Sequence, residues 1–269
     1  MMVVLAIQVL ATVLTAGRAL QPFSSAKLAL VGDVFLIFAT ALVVGLCYLG
    51  LEPFVRRRRP ENLIAWTRML SGRVRDRSVG GSLLIGALTG AGLAVLAQLD
   101  RIVVSLVGFG VTASSVTADR LNSVLGPGQL LGTALEQIYS SIVGGLLMLF
   151  LLAFLLRVVP WRWYAGAVFV LVIAAVTGIQ DGAHLPLSVV TLGAPSAALL
   201  LFVLNRFGLL AAVTAGFAAN LLDLYPMTVQ PEAWFAYGGY FAVGLVLAIA
   251  GLGLLFASLD HGEANADHR

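Results

Sequence analysis

Long apolar runs recur along this chain with only short polar breaks between them, and that recurrence restricts the fold more than any other feature. They lie at roughly 3–17, 29–51, 82–99, 134–156, 164–180, 187–204, 207–222 and 234–258. A helix needs about 20 apolar residues to cross the hydrocarbon core of a bilayer, and most of these runs reach or approach that length. The 269 residues are 60% hydrophobic and 11% charged, against about 25% charged in soluble domains. So little polar surface cannot cover a water-soluble body of this size. The expected fold is all-α, a polytopic integral membrane helical bundle of about eight transmembrane helices. Residues 1–259 form its multi-pass domain and 260–269 a polar tail. Residues 1–16 lack a basic segment ahead of the apolar run, so they read as a retained first helix rather than a cleaved leader. Residues 102–118, rich in Gly, Ser and Thr, read as a re-entrant or interfacial segment.

One stretch breaks the pattern. The loop 52–81 carries Arg56, Arg57, Arg58, Arg59, Arg68, Arg73, Arg75 and Arg77, half of the sixteen basic residues. Short loops rich in Lys and Arg stay on the cytoplasmic side of a membrane. With this loop inside, Arg157, Arg162, Arg206 and Arg269 fall inside too, and only Arg18, Lys27, Arg101 and Arg120 lie outside. Trp161 and Trp163 flank Arg162 at an inner interface, where aromatic residues prefer to sit. Within the loop, Pro60 and Glu61 suit a helix start. Leu63, Trp66, Leu70 and Val74 then recur on one helical face, and Gly72 is placed to end or loosen the helix. The pattern predicts an amphipathic cytoplasmic surface helix, with Trp66 and the arginines at the lipid interface and anionic headgroups as their partners. A nucleic-acid patch is the competing reading; one aromatic beside a basic run supports it weakly.

The same loop carries a resemblance. Tyr48, Leu49, Leu51, Glu52, Pro53, Val55, the arginines and Pro60 form one block, and Leu63, Ile64, Trp66, Arg68, Leu70, Gly72, Arg73, Arg75, Asp76, Val79 and Gly80 the next. Arg206–Ala211, Pro226, Met227, Thr228, Trp234 and Phe235 form a later one. Together they resemble the C-terminal multi-pass membrane region of bacterial, notably acidobacterial, transmembrane serine/threonine protein kinases. Arg59, Arg77–Ser78 and Gly81–Ser82 depart from that pattern. The kinase motifs themselves, a Gly-rich loop, a strand Lys, H-R-D and D-F-G, do not occur in the sequence. The resemblance implies a non-catalytic membrane anchor or sensor module of the bacterial inner membrane, with a cytoplasmic kinase domain or other signalling protein as its partner.

Two other classes compete. A small-solute transporter or channel would use polar residues within the spans, and the candidates are Asp33, Glu136, Asp181, His184 and Arg206. The plainer reading of these is solvated ends of helices, with Arg206 reaching the inner headgroups. An intramembrane protease would need paired glutamates and histidines for a metal, or a G-x-S-G nucleophile. No adjacent glutamates and no G-x-S-G occur. No catalytic, cofactor-binding or metal-ligating set is expected. The stretch "GPGQLLG", residues 126–132, reads as a loop. Gly86 and Gly90 form a G-x-x-x-G that allows close helix packing.

Overall fold

The computed structural model describes residues 2–15, 42, 45, 61–72, 74–106, 124–180, 192–228 and 230–258. Every regular element among the described residues is helical. In chain order these are α1 (Met2–Thr15), α2 (Glu61–Leu70), α3 (Arg77–Leu106), α4 (Pro127–Val158), α5 (Arg162–Gln180), α6 (Ala194–Phe207), α7 (Leu209–Leu224) and α8 (Ala236–Ser258). Among the described residues, three helices are long and apolar enough to cross a membrane: α3 over Arg77–Val103, α4 and α8. Apolar stretches of α5, α6 and α7 are shorter; α7, with 16 residues, is about 24 Å long at 1.5 Å per residue. The expected span at 29–51 lies almost wholly outside the described residues.

One short helix organises the rest. α7 touches α2, α3, α4, α6 and α8, and only Asn220 along its length is exposed. A helix that is apolar all round belongs in the middle of a bundle. Its sequence, LLAAVTAGFAANLLDL, is rich in small residues, which let neighbouring backbones come close where lipid gives no hydrophobic drive to association. Against it, α3 presents Gly86 and Gly90. A methyl added at Gly86 would lie 2.5 Å from Thr214 Cβ and 2.7 Å from the Ala211 carbonyl oxygen. One added at Gly90 would lie 2.5 Å from Ala218 Cβ and 2.6 Å from the Ala215 carbonyl oxygen. The G-x-x-x-G is thus an internal seam. Thr214, beside it, donates its hydroxyl to Leu210 O of its own helix at 2.9 Å, so the seam buries no unpaired polar group there.

Close contacts also fix direction. Gly86 meets Ala211–Thr214 and Gly90 meets Ala215–Ala219, so α3 and α7 run parallel. Gly145 meets Leu209 and Val213 while Ser141 faces Gly216, so α4 opposes α7. Leu84 meets Gly253 while Gly80 reaches Ala257, so α8 opposes α3; Gly166 meets Leu201 while Ala174 meets Gly193, so α6 opposes α5. The connections match. Pro160 forces Val159 out of helical geometry, and Val159 is extended, leaving a three-residue link from α4 to α5. Gly208 alone joins α6 to α7, with φ of 86°, a left-handed conformation that favours glycine.

Two expectations change. Ile102–Leu106 continue α3 instead of entering a re-entrant segment; residues 107–118 lie outside the described residues. Residues 127–132 are not a loop but the first turns of α4, with Gly126 as cap and Pro127 at the first helical position, where its missing N–H costs nothing.

The seam predicts a contrast. Gly86→Ala should lower the melting temperature of the detergent-purified protein, with overpacking costing about 1–3 kcal/mol. Gly92→Ala, on the same helix with nothing within 4 Å of its new methyl, should be neutral or slightly stabilising. Equal melting temperatures for the two variants would rule the seam out.

Candidate functional site

The alternating directions gather one end of α2 through α8 into a single region. Ala65, Trp66, Val79, Leu152, Leu155, Ala165, Leu204 and Leu209 share one buried cluster there. Six of the seven described arginines belong to helix ends or turns of this region: Arg68, Arg75, Arg77, Arg157, Arg162 and Arg206. The opposite end holds Asp100, Asp223 and Glu232, with Arg101 paired to Asp223. The bundle is therefore basic at one end and acidic at the other.

The basic end is fastened at Asp76. This residue caps α3, accepting the Ser78 backbone N–H at 2.9 Å and the Ser78 hydroxyl at 2.7 Å. Arg68 of α2 places Nη1 2.8 Å from Asp76 Oδ1 and 2.7 Å from Oδ2. Between them the chain turns at Gly72, whose φ of 81° is the left-handed geometry common just past a helix end. The Ser78 hydroxyl above all holds the Asp76 carboxyl below its ordinary range, partial burial opposing it; the Ser78 N–H and Arg68 add to the lowering. One carboxylate thus starts α3 and ties α2 to it.

The site residues expected from sequence are distributed as follows. Trp66 is only 7% exposed and packs into the bundle, with its ring in the buried cluster rather than on the surface. The buried face of α2 is Ala65, Trp66 and partly Met69, turned from the expected stripe. Leu70 is exposed, and Val74 lies beyond the helix end and is exposed too. Arg68 and Arg75 are exposed as expected. Arg206 sits in the last turn of α6, favoured there by the helix dipole, with its guanidinium 5.9 Å from the Phe207 ring centroid. Glu136 is exposed on α4, twenty residues from Leu156 at the basic end and so about 30 Å away along the helix. Glu136 and Arg206 therefore do not form one site. Arg56, Arg57, Arg58, Arg59, Arg73, Asp33, Asp181 and His184 lie outside the described residues.

Sequence reasoning missed three contacts. Asp76 followed two residues later by Ser78, just ahead of an apolar run, is a capping signal that could have been used. The Arg101–Asp223 pair spans 122 positions and leaves no local trace. Nor does Tyr225, which is buried, donates to Leu130 O at 2.6 Å and packs edge-on against Phe241.

Among the described residues no group of three or more His, Cys, Asp or Glu could hold a metal. Between α4, α5 and α6 the basic end opens into a groove of about 990 Å³, with Arg162, Trp163 and Asn205 in its lining. Comparisons with family models, curated proteins and solved structures find no match for this chain.

Asp76→Ala should cost about 0.5–2 kcal/mol at neutral pH, the usual loss for an N-cap. Because the folded carboxyl titrates below its ordinary value, its contribution is complete above about pH 4 and fades as pH falls through the lowered value. The wild-type advantage in melting temperature should accordingly be present at pH 7 and shrink below about pH 4. An advantage that grows in acid would contradict the latch.

Proposed function

We propose that this chain is a non-catalytic, multi-pass anchor or sensor module of a bacterial inner membrane, with its basic end in the cytoplasm. The observation that carries the reading is the gathering of six described arginines at one end of a bundle with three spanning-length helices. Positive charge retained inside then orients α3, α5 and α7 outward and α4, α6 and α8 back, and α1 with the 29–51 run completes eight spans. Arg56–Arg59 engage anionic headgroups of the inner leaflet, each worth about 1 kcal/mol. The Arg68–Asp76 latch carries movement of α3 into α2, and from there to a cytoplasmic signalling partner. The resemblance of residues 48–80 to the membrane region of serine/threonine kinases supports that partner class.

The test is accessibility. A Ser71→Cys reporter in a Cys47→Ala background should resist a membrane-impermeant maleimide in intact spheroplasts and react after lysis. Replacing Arg56, Arg57, Arg58 and Arg59 with Gln should make a measurable fraction reactive in intact spheroplasts. Labelling of the wild-type loop before lysis, or no change in topology and lipid association in the fourfold variant, would end this reading.

A second reading, small-solute transport, draws on buried polar atoms that have no hydrogen-bond partner among the described residues: Gln8 Oε1, Thr133 Oγ1, Tyr139 OH and Ser141 Oγ. Unpaired groups of this kind call for water or a ligand. Uptake or current in proteoliposomes that is lost in Ser141→Ala would favour it.

A further inference from the structure

The groove at the basic end is amphipathic along its length. Leu152 and Leu156 of α4, Val170 and Leu171 of α5 and Leu201 of α6 supply apolar walls, whereas Arg162 and Asn205 supply the polar lining. Its volume, about 990 Å³, is at the upper end of the range of about 300–1,000 Å³ for small-molecule sites. Arg162 begins α5, and the aromatic rings beside it form one cluster. Trp161 lies 5.7 Å from Tyr164 and 6.4 Å from Trp163, and Trp163 stacks on Tyr164 at 3.8 Å. All three rings are exposed, Trp161 and Trp163 at 60% and 63%. Exposed Trp and Tyr at one level mark the headgroup depth of a bilayer. A guanidinium at that depth, over an apolar trough running toward the bundle's middle, complements a phosphate joined to an acyl chain. Gly166 is among the lining residues, and a methyl there would stand 3.5 Å from Leu201 Cδ2, an ordinary contact, so only a larger side chain would reach across the trough.

We infer that this groove binds one anionic phospholipid of the inner leaflet, its phosphate on Arg162 and one acyl chain along Leu156, Val170 and Leu201. Arg157 and Arg206, in the last turns of α4 and α6, add positive charge at the same end. The site is distinct from the Arg56–Arg59 loop contacts, and it rests on the membrane reading above. Ordered lipid here would bridge α4, α5 and α6, where α5 and α6 meet the rest of the bundle.

The experiment uses the full chain purified in detergent and supplied with phosphatidylglycerol or phosphatidylcholine of matched acyl chains, each carrying a diazirine near the chain end. Bound lipid is counted by native mass spectrometry and, after photolysis, mapped by trypsin. Arg162 and Arg206 bound a single tryptic peptide, Trp163–Arg206, that holds α5 and α6. Phosphatidylglycerol should be retained over phosphatidylcholine and should label that peptide. Arg162→Gln should reduce phosphatidylglycerol retention about tenfold, as expected for losing one charge-assisted hydrogen-bonding group, and reduce phosphatidylcholine, whose phosphate is already balanced by its own choline, by less. Gly166→Leu should fill the trough and lower both lipids. Because Arg162 is exposed, its variant tests the site even if Gly166→Leu fails to fold. Three results would overturn the inference: equal retention of the two lipids, no effect of Arg162→Gln, or cross-links showing residues 29–51 or a second copy of the chain in the groove. A protein that keeps the expected maleimide pattern but gives any of these loses this inference alone; one with the opposite pattern loses the membrane orientation as well.

Discussion

At Gly86 and Gly90 the backbone of α3 lies so close to α7 that even a methyl group does not fit between them. That approach lets a helix of only 16 residues be enclosed on nearly every side. With α7 in the middle, α3 lies parallel to it and α4 antiparallel, and α6 precedes it across the single residue Gly208. The remaining helices attach to these. α8 lies along α3 through Gly80 and Gly253, and α5 lies along α6 through Gly166 and Gly193. Small residues recur at each crossing for one reason: in hydrocarbon, helices gain from packing and from satisfied polar groups, with no water to expel. Hydroxyls on these helices largely bond to their own backbone one turn back, as Ser82 does to Ser78 O, Thr89 to Ile85 O and Thr214 to Leu210 O.

The charge asymmetry follows from alternation. Each arginine sits at a helix end or in a turn, and consecutive helices reverse, so arginines far apart in sequence reach the same end. Arg68, Arg157, Arg162 and Arg206 lie at one end of the bundle in this way, with Asp76 as the counter-charge to Arg68 that fastens α2 to α3. The aromatic cluster at Trp161–Tyr164 and the groove beneath Arg162 occupy that end as well. An anchor, a lipid site and a contact surface for a cytoplasmic partner would all draw on one arrangement of charge and aromatic rings.

Sequence reading located seven described helices to within several residues at most ends. It worked because apolar length is a local property, recorded in consecutive side chains. It went astray where position depends on partners. The stripe Leu63, Trp66, Leu70, Val74 looked like a membrane-facing surface. Yet Val74 lies beyond the helix, which ends ahead of Gly72 as expected, and Trp66 joins a buried cluster with Val79, Ala165, Leu204 and Leu209, which no local pattern announces. The "GPGQLLG" stretch looked like a loop because glycine dominates its composition, while Pro127 had already set a helix start.

The sequence by itself determined that this chain is helical and rich in membrane-crossing length, because 60% hydrophobic residues in long runs leave few alternatives. It also determined where its positive charge is concentrated, since charge is read residue by residue. Only the tertiary structure decided that α7 is central, that Gly86 and Gly90 face Ala211–Ala219 of their own chain, and that Trp66 turns inward. It alone joined Arg101 to Asp223 and shaped the groove under Arg162. Those outcomes depend on which surfaces meet between separate helices, and such meetings leave no period in the sequence.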